Sequence, residues 1–371
     1  MFKETHWGEV ATLKYGKALG GYRDDPAASV PVFGTNGPVG FTQTAQVPRA
    51  GVIIGRKGAY RGVHYSSVPF SVIDTAYYLE PADFVDNRWA YYALQLADIN
   101  GLDSGSAIPS TTRDAFYSLR VSVPSVDEQL GMVEVLGALD DKIAANTKLA
   151  GTFEALGAVK FQALGINTEP DIDSVTLDTL FDVNPRRTPG TDPVPLIDMQ
   201  ALPTSSPLIE TWSAGPKKGG TRFMNGDTLL ARITPCLENR KTGFVDFLED
   251  GQVGIGSTEF IVIRSREGLP LGLSYFMATS NRFRDFAIQN MVGTSGRQRV
   301  AASDIARFEF NPICASELEE FGTWADTNLS LLGSLRTENN MLAATRDALL
   351  PQLMSGKLRV KDAESLVSAA V

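Results

Sequence analysis

Histidine and cysteine are scarce in this 371-residue chain, two of each, and their placement excludes much chemistry. His6 and His64 stand far apart with no ligand spacing around them, so neither a metal site nor a Ser/His/Asp relay is expected. Cys236 and Cys314 lack CxxC spacing and read as reduced thiols, which suits a cytoplasmic protein. No apolar run approaches the ~18 residues of a membrane-spanning helix. The opening MFKETHWGEV lacks the apolar stretch of a secretion signal. Loops that grip phosphate or a target base are missing too. The glycine-rich GTNGPVG does not end in GK[ST]. Asn311-Pro312-Ile313 lacks the second proline and the aromatic residue of an [ND]-P-P-[YFW] loop. Positive charge is in deficit, with a net charge of −9, and phosphate binding depends on lysine and arginine. Most of the acidic excess falls in the helical stretches and the tail, so the rest of the chain is near balance.

What the chain does contain is repetition. GSAIPSTTRDAFYSLRVSVP (Gly105 to Pro124) is echoed by GTSGRQRVAASDIARFEFNPI (Gly293 to Ile313). Each copy has a loop of small, hydroxyl or arginine residues, then an acidic turn, an alternating strand and a proline, and each runs into a long helix. The length suits two domains or slightly more. In the first head, Val52 to Ile54, TAYYLEP and LRVSVP read as strands, and Trp89 to Ile99 as a helix. In the second, TLLARI, GFVDFL, EFIVIRS and RFEF read as strands, and Gly272 to Ile288 as a helix.

Between and after the heads the period changes. Leu139, Ile143, Asn146, Leu149 or Ala150, Phe153, Leu156 and Lys160 step by three or four residues. Leu318, Phe321, Ala325, Asn328, Leu332, Leu335, Asn339, Leu342, Arg346 and Leu349 hold a 3-4-3-4 spacing, the mark of helices winding about one another. Asn146, Asn328 and Asn339 fall on or near that seam, where a buried amide fixes register. Roughly 30–36 helical residues give a strut of about 45–54 Å, longer than one duplex turn of ~34 Å. The fold expected is α+β: two similar mixed α/β domains separated by two long helices packed as an antiparallel coiled coil. Its boundaries are 1–124 and 171–312 for the heads, 125–170 and 313–354 for the helices, and 355–371 for the tail.

The motifs VPVFGTNGPVGF, GVIIGRKGAYRG, PFSVIDTAYYLEP, GSAIPS with VPSVDEQ, and LDDKI resemble the specificity (S) subunits of type I DNA restriction-modification systems. TLLARITPCLENRKTG, GSTEFIVIR, GTSGRQRV and the closing LLPQLMSGKLRV extend the resemblance over nearly the whole chain. The second head has no GRKG, and the second helix starts NPICASELEEF without the PxxxEQ of Pro124 to Gln129. The resemblance implies a non-catalytic reader of double-stranded DNA. Each head would be a target recognition domain for one part of a split, asymmetric site. The helices would set the spacing and dock methyltransferase (M) subunits, two of them, with restriction (R) subunits in the full complex and no membrane partner. No cofactor is expected on this chain; S-adenosylmethionine, ATP and Mg would be held by the partners. Three other readings stay open: an orphan or decoy specificity protein, a nucleotide-binding enzyme, and a scaffold bridging two proteins.

Candidate DNA contacts follow from residue type. Arg56, Lys57 and Arg61 sit in and after a glycine turn, where cations can reach phosphates or a guanine edge, or be solvated. Ser110, Thr111 and Arg113 offer short donors or a helix cap with Thr112. Arg297, Gln298 and Arg299 suit guanine and adenine edges. Arg232, Arg240 and Lys241 form a candidate phosphate patch, with Asn239 a turn residue. Tyr60, Tyr65, Tyr77 and Tyr78 read as packing residues. The residues expected at the helix seam are Leu139, Ile143, Asn146, Phe153, Leu156, Phe321, Asn328, Leu332, Leu335, Asn339 and Leu342.

Overall fold

The computed structural model describes residues 2–22, 27–102, 109–294 and 296–368, excluding the side chains of 366–368. The chain divides into two units, Met1–Ile143 with Met341–Val371, and Ala144–Asn340. The division cuts both long helices, so each unit owns one half of each.

The first unit has an antiparallel four-stranded sheet in the order Ala11–Tyr15, Ala76–Pro81, Gly51–Gly55, Val63–Ser66. Beside it, Val30–Gly34 pairs antiparallel with Gly37–Thr42 and parallel with Ser71–Val72. Lys3–His6 pairs with Arg120–Val123. The second unit repeats this plan. Its main sheet runs Phe181–Val183, Phe260–Ser265, Thr228–Ala231, Thr242–Phe244. Its second sheet again has one parallel pair, Val194–Ile197 with Gly254–Gly256, and adds an edge strand, Thr221–Phe223. Val175–Thr176 pairs with Glu309–Phe310. The echo in the sequence is therefore an echo of topology.

The central strands are continuous apolar runs because both of their faces are covered. In the first unit Val52 and Ile54 enter one core and Ile53 the other. In the second, Leu230, Ile261 and Ile263 face one core, while Leu229, Phe260 and Val262 face another. Alternate side chains leave a strand on opposite faces, so one short segment serves two cores. The Asn87–Gln95 helix starts where the Asp86 carboxylate accepts from the Arg88 and Trp89 amides at 2.8 and 2.9 Å. It stops short of the expected Ile99. The helix expected from Gly272 to Ile288 is two helices, Leu273–Thr279 and Asn281–Gln289, parted by the extended backbone of Ser280.

The first long helix, Val126–Ala163, opens on a capping box. The Ser125 amide and hydroxyl donate to Glu128 at 3.0 and 2.8 Å. Gln129, fully buried, donates to the Phe84 and Pro124 carbonyls and accepts from the Asp86 amide. The Glu-Gln pair of VPSVDEQ thus caps the helix and ties it to the head. The second long helix is Ala315–Met354. In the first unit Met132, Leu136 and Leu139 share a core with Leu342, Leu349 and Leu353, and Ile143 packs against it. In the second unit Asn146 donates to Asn339 at 2.8 Å and to Glu338 at 2.7 Å. Phe153 stacks on Trp324 with centroids 5.0 Å apart, and Phe161 meets Phe321 at 5.1 Å. Within each unit the helical segments run antiparallel, with Leu332 buried and Leu335 packed on the core of the second.

Two seam residues depart from expectation. Leu156 is 47% exposed, because Gly157 takes the seam position beside Phe276 and Trp324. A Cβ on Gly157 would come within 2.3 Å of the Phe276 ring, so the close approach requires glycine. Asn328 does not reach across; its amide donates to the Trp324 carbonyl of its own helix at 2.8 Å.

Candidate nucleic-acid interface

In the first head the turn at Arg56-Lys57 is zipped to the segment that opens the repeat. The Thr111 amide donates to the Arg56 carbonyl at 2.9 Å, and the Gly58 amide to the Pro109 carbonyl at 3.0 Å. Lys57 and Ser110 form a β-bridge. This backbone zipper brings Arg56 and Arg113 to one aromatic ring. Their guanidinium carbons lie 4.9 and 4.1 Å from the centroid of Tyr15, which is 46% exposed. Arg56 also donates to the Asp74 carbonyl at 3.0 Å. Arg113 begins a short helix, Arg113–Tyr117, capped by the Thr112 hydroxyl. Lys57 is exposed and Ser110 half-buried. Residues 105–108 of the GSAIPS motif lie outside the described residues.

Arg61 and Thr111 require correction as DNA contacts. Arg61 is 2% exposed, and its terminal nitrogens donate to the carbonyls of Gly58, Ile99, Asn100 and Leu102. It holds the 99–102 turn together and cannot reach a phosphate. Thr111 is buried and serves through its backbone. Tyr60 is corrected in the other direction, since it is exposed rather than packed. Tyr77 is buried, and burial pushes its hydroxyl pKa up to about 12.

The second head uses the same backbone scheme. Arg232 corresponds to Arg56: its amide donates to the Glu259 carbonyl as that of Arg56 does to Thr75, and its carbonyl accepts from Val300 as that of Arg56 does from Thr111. Ile233 bridges Arg299 as Lys57 bridges Ser110. The side chains differ. Arg299 makes a bidentate pair with Glu259, with Nε–O at 2.9 Å and Nη2–Oε1 at 2.7 Å. Those hydrogen bonds hold the Glu259 carboxyl below the usual carboxylate range. Arg297 is exposed, Gln298 is half-buried with its amide on the Thr234 hydroxyl, and Arg232 is half-buried. Arg240 is exposed on a left-handed backbone with φ 62. Lys241 is less available than expected, because its ammonium donates to the Met199 and Gln200 carbonyls at 2.7 and 3.4 Å. Ser295 lies outside the described residues.

Three features were not anticipated. Tyr15 is the platform of the first cluster, and Glu259 the orienter of the second. A cleft of about 680 Å³ in the second head is lined by Arg186, Arg187 and Arg222. Arg187 is anchored on the buried Asp227, which also accepts from Arg264 at 2.9 Å. Burial raises the Asp227 carboxyl above its usual range. The Arg186-Arg187 doublet between strands was the available signal. Among the described residues, no three His, Cys, Asp or Glu side chains cluster as metal ligands would, and no helix is long and apolar enough to cross a membrane.

The two units share one α/β plan, with arginine-bearing loops zipped alike in each copy. Residues 2–152 match the type I restriction modification DNA specificity domain. The chain is 32% identical over 154 residues to the EcoAI specificity subunit of Escherichia coli, covering 39% of this chain and 25% of that protein. It is 33% identical over 138 residues to the EcoEI specificity subunit of Escherichia coli, covering 35% and 23%. The matched stretch is thus about a quarter of those relatives' length. The fold is shared with the type I restriction-modification S subunit from M. genitalium, at TM-score 0.60 and 14% identity, over 95% of this chain and 96% of that one.

Proposed function

We propose that this chain is the DNA-reading subunit of a type I restriction-modification complex. Each head reads one part of a bipartite, asymmetric site in double-stranded DNA. Exposed cations place the backbone, and a few arginine and polar side chains read base edges. The two long helices act as the ruler between half-sites and as the platform for methyltransferase subunits. Chemistry comes from those partners and from restriction subunits, which hold S-adenosylmethionine, ATP and Mg. The observation that carries the reading is the paired loop zipper. Two heads of one topology carry different cationic groups on matching loop zippers, Arg56 and Arg113 over Tyr15 in one, Arg297 and Arg299 in the other.

Co-expression with methyltransferase subunits, followed by mapping of methylated adenines in the host genome, tests it. A two-part motif that appears only when this chain is present is the expected result. R56A/R113A should relax one part of that motif and leave the other intact. Methylation independent of the chain, or equal binding to scrambled duplexes, would sink the proposal.

A further inference from the structure

We infer that Arg299 reads a guanine in one half of the site, and that Glu259 is the positioning residue that sets it for that base. The inference rests on the DNA-reading role proposed above and deepens it to a single contact. A guanidinium carries five N–H donors in a planar fork. Glu259 takes the Nε donor and one Nη2 donor of Arg299, at 2.9 and 2.7 Å. The Arg297 carbonyl takes one Nη1 donor at 3.3 Å. One N–H then remains on each terminal nitrogen of the fork. Two donors of that kind match the O6 and N7 acceptors of guanine in the major groove. The side chain is 42% exposed, so the group is accessible.

Charge argues for a base rather than a phosphate. The carboxylate already neutralises Arg299 and would repel a phosphate brought beside it, while the hydrogen-bonding fork is unaffected. Position argues for one half-site only. At the matching backbone places the first head has Ser110 for Arg299 and Thr75 for Glu259, a pair that cannot present the same fork.

The test is selection of bound duplexes from a random library by the full chain, alone and with co-expressed methyltransferase subunits. Wild type, R299A, R299K and E259Q are compared. R299A and R299K should lose about ten- to hundredfold preference for guanine at one position, with the other half of the motif unchanged. R299K keeps the charge and removes the fork, so it separates the two roles. E259Q should weaken the preference at that same position. A uniform fall in affinity for every duplex, with the motif intact, overturns the inference and leaves DNA reading standing. Unchanged preference in E259Q overturns the positioning role. If wild type selects no motif at all, the DNA-reading proposal itself fails.

Discussion

Arg61 and Arg240 occupy the same place in the two heads and meet opposite fates. Each lies two residues before a matching edge strand, Val63–Ser66 or Thr242–Phe244, beside the corresponding central strand. Arg61 is sealed inside the first unit on four backbone carbonyls. Arg240 is exposed at the end of a longer turn in the second. Between the matched arginines the second head's loop, Arg232 to Arg240, is three residues longer than Arg56 to Arg61. The two copies keep the strands and their register, while the loops differ, and an arginine that is structure in one is surface in the other. The same holds for the reading loops, where an identical zipper carries Lys57 and Ser110 in one copy and Ile233 and Arg299 in the other.

The largest predicted effect separates those two arginines. R61A should destabilise the first unit by about 3 kcal/mol, since it removes packed side-chain volume and leaves buried carbonyls without donors. R240A should stay within about 0.5 kcal/mol. Urea unfolding of both variants decides it, and equal costs would break the comparison. The seams come next. In the second unit N146A removes the amide that donates to Asn339 and Glu338 and should cost about 1–3 kcal/mol. In the first unit the cross-helix pair is Asp140 with Arg346, partly exposed. R346A, which removes that pair and leaves the Tyr92 hydrogen bond to Asp140 in place, should cost about 1 kcal/mol or less by the same assay, because solvent partly screens the charge.

The smallest effect is a pH dependence. Burial raises the Glu154 carboxyl above its ordinary value, against the opposing hydrogen bond from the Tyr275 hydroxyl. A raised carboxyl contributes stability that is full below the unfolded value of roughly 4.3 and is lost as pH rises through the folded value. E154Q is permanently neutral. It should therefore melt at or slightly above wild type at pH 7, and lose that margin as pH is lowered toward 4. A margin that grows on acidification would reverse the sign of this account.

Much of the architecture was legible because it depends on local pattern. The apolar runs at Val52 to Ile54 and at Phe260 to Ile263 signalled central strands, and the 3-4-3-4 spacing from Leu318 to Leu349 traced the second helix's buried face. What escaped depended on a third party. Leu156 fits the seam spacing until Phe276 of the second head closes over Gly157 and turns the leucine outward. Arg61 looks like a loop cation until the 99–102 turn wraps it in carbonyls. Arg113 over Tyr15 joins residues far apart in the chain, and no spacing rule connects them. Glu259 could have been noticed only by aligning the two copies strand by strand.

The division of the chain has a consequence for synthesis. The first unit is assembled from two separated segments of the polypeptide, its core closing only when Leu342, Leu349 and Leu353 arrive to meet Leu136 and Leu139. The second unit is one uninterrupted segment. Vectorial synthesis normally favours the N-terminal domain. Here the head made first lacks part of its core until the segment from residue 341 onward is made, so the later head should reach its native packing before it. Stalled nascent chains ending near residue 340 should resist protease in the second head while the first is still cut.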